Sequence, residues 1–116
     1  MRTVLLVALT LLAGCDDYVI ATTAGGGSGS RADSILALTG DAATGDVVFD
    51  DHCVACHDKA GATNKVGPAL GGLVPGAEDA ALVSTILDGK DSMPAQNIKD
   101  DQDVADLLAW MRATWP

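Results

Sequence analysis

From Asp41 to the end of the chain, apolar side chains return every three or four positions and never alternate long enough to suggest a strand. The pattern predicts an all-α domain of about three main helices joined by loops that carry glycine and proline. The first is expected to take Asp41 as N-cap and run to about Cys53, with Gly45, Val48, Phe49 and His52 or Cys53 along one face. The second follows the acids Glu78 and Asp79, carries Leu82, Val83, Ile86 and Leu87, and stops at Gly89. The third has Asp100 or Asp101 as cap and sets out Val104, Leu107, Leu108, Met111 and Trp115 in the clearest apolar stripe of the chain. No longer-period repeat is present, which excludes solenoids and propellers.

The front of the chain has another character. Arg2 precedes an apolar run from Val4 to Ala13, about half of the ~20 residues needed to span a bilayer, so residues 1–14 read as an export signal. The run closes with Leu12-Ala13-Gly14-Cys15, which resembles the lipobox at which bacterial lipoproteins are cut and the cysteine acylated. Cys15 is then the lipidated first residue of the mature chain, and its acyl chains would hold the protein on a membrane surface. Residues 15–40, with Gly25-Gly26-Gly27-Ser28-Gly29-Ser30 at their centre, are expected to form a flexible linker with a reach of roughly 25–30 Å. Within it, Ser34-Ile35-Leu36-Ala37-Leu38 is left open between packing on the domain and staying loose. Residues 41–116 make the folded domain.

Composition narrows the function classes. The 116 residues hold seven Lys and Arg against sixteen Asp and Glu, a formal charge of −9, and removal of Arg2 with the leader deepens it. A polyanion cannot be neutralised by lysines that acids outnumber, so nucleic-acid binding is excluded. Only four aromatic side chains are present, Tyr18, Phe49, Trp110 and Trp115, and a domain of about 76 residues so provided buries little surface by itself.

One short motif addresses that shortage. Cys53-Val54-Ala55-Cys56-His57 is the C-x-x-C-H sequence that attaches a c-type haem. Two thiols three positions apart match two vinyl groups on one edge of a porphyrin, and the adjacent imidazole reaches the iron. A Cys53–Cys56 disulfide leaves His57 without a role, and a thioredoxin-like pair needs a βαβ setting. A tetrahedral zinc site would have to be built from His52, Cys53, Cys56 and His57, crowded into six consecutive residues.

Around this motif, residues 41–116 resemble a small monohaem class I cytochrome c. The resemblance runs through Gly45 and Phe49, Cys53-x-x-Cys56-His57, Gly67-Pro68-Ala69-Leu70, Ser92-Met93-Pro94-Ala95 and Asp106-Leu107-Leu108-Ala109-Trp110, in the family's order. It implies a cytochrome c fold, with N- and C-terminal helices crossing beside one covalent haem c. Cys53 and Cys56 would form the thioethers, and His57 and Met93 the axial ligands of the iron. The Pro68 carbonyl would accept the bond from the proximal imidazole, and Leu70 would lie against the porphyrin. Thioether sulfur also suits haem iron on its own chemistry, and Ser92-Met93-Pro94 sits in a loop able to curl over the ring. Met111 falls instead on the buried face of the third helix, and His52 on the same side as the attachment motif.

With both axial positions filled, the expected work is transfer of single electrons between redox proteins outside the cytoplasm, from a lipid anchor on a bacterial membrane and facing the periplasm. The chain is then a carrier, not an enzyme. The acidic surface suits partners with basic docking patches and equally serves solubility. The rival readings are a haem-based ligand sensor or peroxidase-like enzyme with an absent or labile Met93 ligand, and an electron-entry subunit of a larger oxidoreductase.

Overall fold

The computed structural model describes residues 28–116. Four α-helices follow in order: α1 (Ser28–Leu36), α2 (Ala42–His52), α3 (Asp79–Asp88) and α4 (Asp101–Thr114), with a 3₁₀ turn at Val74–Gly76 before α3. Among the described residues there is no strand, only an isolated antiparallel bridge between Lys90 and Met93. The three expected helices are α2, α3 and α4. Their ends lie where cap chemistry puts them. Asp41 accepts from the amides of Ala43 and Thr44, Asp100 accepts from the amide of Gln102, and Gly89 ends α3 at a φ of 79°.

The frame of the domain is the crossing of α2 and α4. Gly45 makes it close: a Cβ there would overlap the Asp106 carbonyl and stand 2.7 Å from the Trp110 Cβ, so only glycine lets the two backbones approach. Beside the crossing, Phe49 packs on Trp110 with ring centroids 4.6 Å apart, and Trp115 meets both rings edge-on at 5.9 and 5.2 Å. Trp115 caps α4 instead of extending its stripe, and its indole Nε1 donates to the Ala60 carbonyl at 3.2 Å.

The segment expected to be linker is folded over its last part. α1 packs against α3 and α4 with Ala32 and Ile35 buried, so this part of the expected linker belongs to the fold, as a further helix beside the three main ones. Two polar clamps hold it. Arg31 donates to Asp101 Oδ1 at 2.7 Å and to the Ile98 carbonyl at 2.6 Å. At the α1–α2 junction the buried Asp106 accepts from the Asp41 amide at 2.7 Å and from the Gln102 side chain at 2.8 Å, while Gln102 also donates to the Thr39 carbonyl. The Ser34–Leu38 question is thereby answered: Ile35 is in the core, with Leu36 and Leu38 partly exposed at its edge. Cys15 and the apolar run before it lie outside the described residues. No described helix is long and apolar enough to cross a membrane.

α4 serves three neighbours from three faces. Asp106 and Trp110 face α2, and Arg112 reaches across to Asp79 and to the carbonyls of Val74 and Ala77. Leu107 and Met111 line a cavity on the remaining side.

Candidate functional site

That cavity has a volume of about 500 Å³, within the range of small-molecule and cofactor sites. Its walls are the chain from Cys53 to His57, the loop from Val66 to Val74, the inner face of α3, the loop around Met93, and Leu107 with Met111. Every expected haem and iron contact of the domain borders it: Cys53, Cys56, His57, Pro68, Leu70 and Met93.

The attachment motif continues the winding of α2 past its end. The amides of Cys53 and Val54 donate to the Phe49 carbonyl, and those of Cys56 and His57 to the Cys53 carbonyl, at 2.8 to 3.1 Å. Near-helical winding at a spacing of three places both sulfurs on one side, facing the cavity. They carry no disulfide. Burial, and secondarily the neighbouring Cys56, pushes the Cys53 thiol up to about 11.

His57 is buried, and its Nδ1 lies 3.0 Å from the Pro68 carbonyl oxygen. A carbonyl only accepts, so Nδ1 carries the proton and Nε2 keeps its lone pair for a metal. Gly67 makes the arrangement possible. A Cβ on it would overlap the imidazole Cε1 and stand 2.8 Å from Nδ1. The loop that carries Gly67 and Pro68 is pinned along its length. Gly67 donates to the Cys56 carbonyl at 2.6 Å, Lys65 Nζ to the Val54 carbonyl at 2.7 Å, and the Ala69 amide to Asn64 Oδ1 at 2.9 Å. Asp58 organises its start by accepting from the Ala60, Ala62 and Thr63 amides and from the Thr63 hydroxyl, bonds that hold its carboxyl below the usual range.

Met93 borders the same cavity from a tight reversal. Lys90 and Met93 exchange both backbone bonds at 3.0 and 2.8 Å, with Asp91 in the left-handed region at a φ of 51°. Gly89 is required beneath it, because a Cβ there would crowd the Met93 carbonyl at 2.5 Å on a backbone already at positive φ. Met111, set apart by the sequence as a core methionine, is buried and also lines the cavity. His52 is exposed at the cavity's edge. Among the described residues no group of three or more His, Cys, Asp or Glu is placed to hold a metal ion.

Two free thiols, an imidazole with its lone pair turned from the bonded side, and a largely apolar chamber with thioethers on its walls fit a covalently held iron porphyrin. Residues 40–111 match the family described as cytochrome c oxidase, cbb3-type, subunit III. The chain belongs to the c-type cytochromes. A cytochrome c-553-like protein of Synechocystis sp. is 30% identical over 78 residues, which make up 67% of this chain and 73% of that protein. No solved structure matches the chain. The cytochrome carries haem c, with Cys53 and Cys56 in the attachment position beside His57, and works as a haem-based electron carrier among redox proteins.

Sequence reasoning did not find the close approach of Gly67 to the imidazole, nor the α3 wall of Ala81, Leu82, Thr85 and Ile86. The Gly67-Pro68 dipeptide signalled a turn. The α3 positions carried only the ordinary signature of an amphipathic helix.

Proposed function

We propose that this cytochrome shuttles single electrons from a lipid anchor outside the cytoplasm, with His57 and Met93 as the two axial ligands. Bound haem supplies a one-electron iron couple. The chain's own residues do the rest. His57 is aimed by Pro68, while Leu70, Val74, Ile86 and Leu107 keep water from the chamber. The observation that carries the reading is the chamber's chemistry. Outside the motif its only titratable side chains are His52, Lys90 and Asp91, all exposed at its edge, so no buried acid or base stands ready for bond-making on a substrate.

Met93→Ala and Met111→Ala variants of the holoprotein test the ligand assignment. Met93→Ala is expected to abolish the weak far-red absorption band of sulfur-ligated ferric haem, and Met111→Ala to keep it. The reverse result, or a wild type without the band, favours the sensor or peroxidase-like reading. Anchoring rests on the Leu12-Ala13-Gly14-Cys15 sequence; an intact mass showing acylated Cys15 in membrane fractions supports it, and a soluble, unmodified mature chain refutes it.

The acidic surface favours partners with basic patches. Lys59, a cation near the motif, is already paired with Asp46 at 2.8 Å and Asp50 at 2.7 Å, and the chain's remaining acids outnumber its cations. Association with such a partner slows as salt rises.

A further inference from the structure

We propose that Arg31 of α1 is a positioning residue for the Met93 loop, so that a helix outside the matched family region governs how firmly the methionine side of the haem is closed. The inference rests on the assignment of Met93 as axial ligand.

α1 ends at Leu36, before residue 40, where the family match begins. The loop from Gly89 to Asp100 leaves α3, carries Met93 and enters α4. Beyond the Lys90–Met93 reversal it is held by a few backbone contacts. Gln96 donates to the Ile86 carbonyl at 2.8 Å, and the buried Ile98 anchors its return. Pro94 immediately after Met93 removes a further amide donor.

From α1, Arg31 reaches this loop through its planar fork. Nη2 donates to the Ile98 carbonyl at 2.6 Å while Nε donates to Asp101 Oδ1 at 2.7 Å, joining the end of the loop to the first turn of α4. One guanidinium thus fixes both sides of the loop–helix junction five to eight residues beyond Met93. Lysine carries the charge but cannot hold both acceptors in one plane. Ile35, one turn along α1, is fully buried and keeps the helix in register for this contact.

A loosened loop lets an external ligand displace Met93 more readily, because the competing intramolecular ligand is then less well placed. The test uses the holoprotein and imidazole, titrated into the ferric form and followed through loss of the far-red band. Arg31→Gln is expected to raise the apparent imidazole affinity about tenfold, as loss of a charge-assisted bond would. Arg31→Lys is expected to recover only part of the difference. Asp41→Ala serves as the control, since it removes the α2 N-cap and lowers stability at a place that does not touch the loop.

If Arg31→Gln lowers the unfolding midpoint as Asp41→Ala does and leaves imidazole affinity within twofold of wild type, Arg31 is merely structural and the proposal is overturned. A full recovery by Arg31→Lys overturns the role of the planar fork. A wild type that lacks the band, or that keeps it in Met93→Ala, sinks the ligand assignment instead, and this inference with it.

Discussion

Gly67→Ala is the substitution for which the geometry commits itself furthest. A methyl on residue 67 would stand 2.8 Å from His57 Nδ1 and 3.0 Å from Nε2, and would overlap Cε1. Neither partner has room to yield. The Gly67 amide is bonded to the Cys56 carbonyl at 2.6 Å, and the imidazole is bonded to Pro68, the next residue of the same loop, at 3.0 Å. Opening the Nδ1 contact to an ordinary separation of about 3.4 Å needs a displacement of roughly 0.6 Å. Moving Pro68 by that amount takes its bond outside the normal range of about 2.7–3.2 Å. Overpacking of this kind costs about 1–3 kcal/mol, and the weakened bond adds about 1 kcal/mol, so the holoprotein should lose about 2–4 kcal/mol. A second effect separates this site from generic packing. A histidine that donates less strongly to Pro68 is a poorer electron donor to iron, so the reduction potential should rise. Urea unfolding followed by far-ultraviolet dichroism gives the first quantity, and a spectroelectrochemical titration the second. Gly45→Ala is the comparison: it overpacks the α2–α4 crossing, so it should lose similar stability with its potential unchanged. A Gly67→Ala protein within about 0.5 kcal/mol of wild type and at the same potential would refute the account of the proximal side.

Three further outcomes follow from the same structure. Asp106→Ala leaves the Asp41 amide without its acceptor and should cost about 1–3 kcal/mol, whereas Asp106→Asn keeps a carbonyl oxygen there and should cost less, both read from urea midpoints. The Asp58 carboxylate is held below its ordinary value of 3.8, chiefly by the Thr63 amide, so its contribution is present above that value and lost as pH falls through the lower folded one; Asp58→Ala should flatten the acid limb of the stability profile, and an unchanged limb would count against the cap. Cys53→Ala with Cys56→Ala removes haem attachment and leaves about 500 Å³ unfilled. At about 24 cal/mol per Å³ the penalty approaches ~12 kcal/mol, comparable with the entire stability of a small domain, so far-ultraviolet dichroism should show a largely unfolded chain.

The three core helices were legible because their signals are local. Asp41, Gly89 and Asp100 cap them through neighbouring backbone, and the apolar period of α4 survives the acids between its apolar positions. α1 was not legible. Ser28-Gly29-Ser30 reads as linker, and the helix after it offers little beyond Ala32, Ile35 and Leu36; its stability comes from contacts distant in sequence, Arg31 with Ile98 and Asp101, and Ile35 in the core. The haem side divides the same way. Cys53, Cys56 and His57 announce themselves by spacing, and Pro68 entered through resemblance, after which the bond to His57 Nδ1 appears in the structure. The requirement for glycine at 67 depends on how closely a loop passes an imidazole ten residues earlier, and no local pattern encodes that separation.

Trp110 lies on α4 between Leu107 and Met111, which line the haem chamber, while its own ring turns to Phe49 and Trp115. One helix diameter, roughly 10 Å, is the scale of the distance from these indoles to the chamber that haem would fill. At that range energy transfer outruns emission, so the native protein should be nearly dark under ultraviolet excitation and brighten as the polypeptide opens. The cytochrome therefore carries an intrinsic gauge of its own integrity, requiring no attached dye.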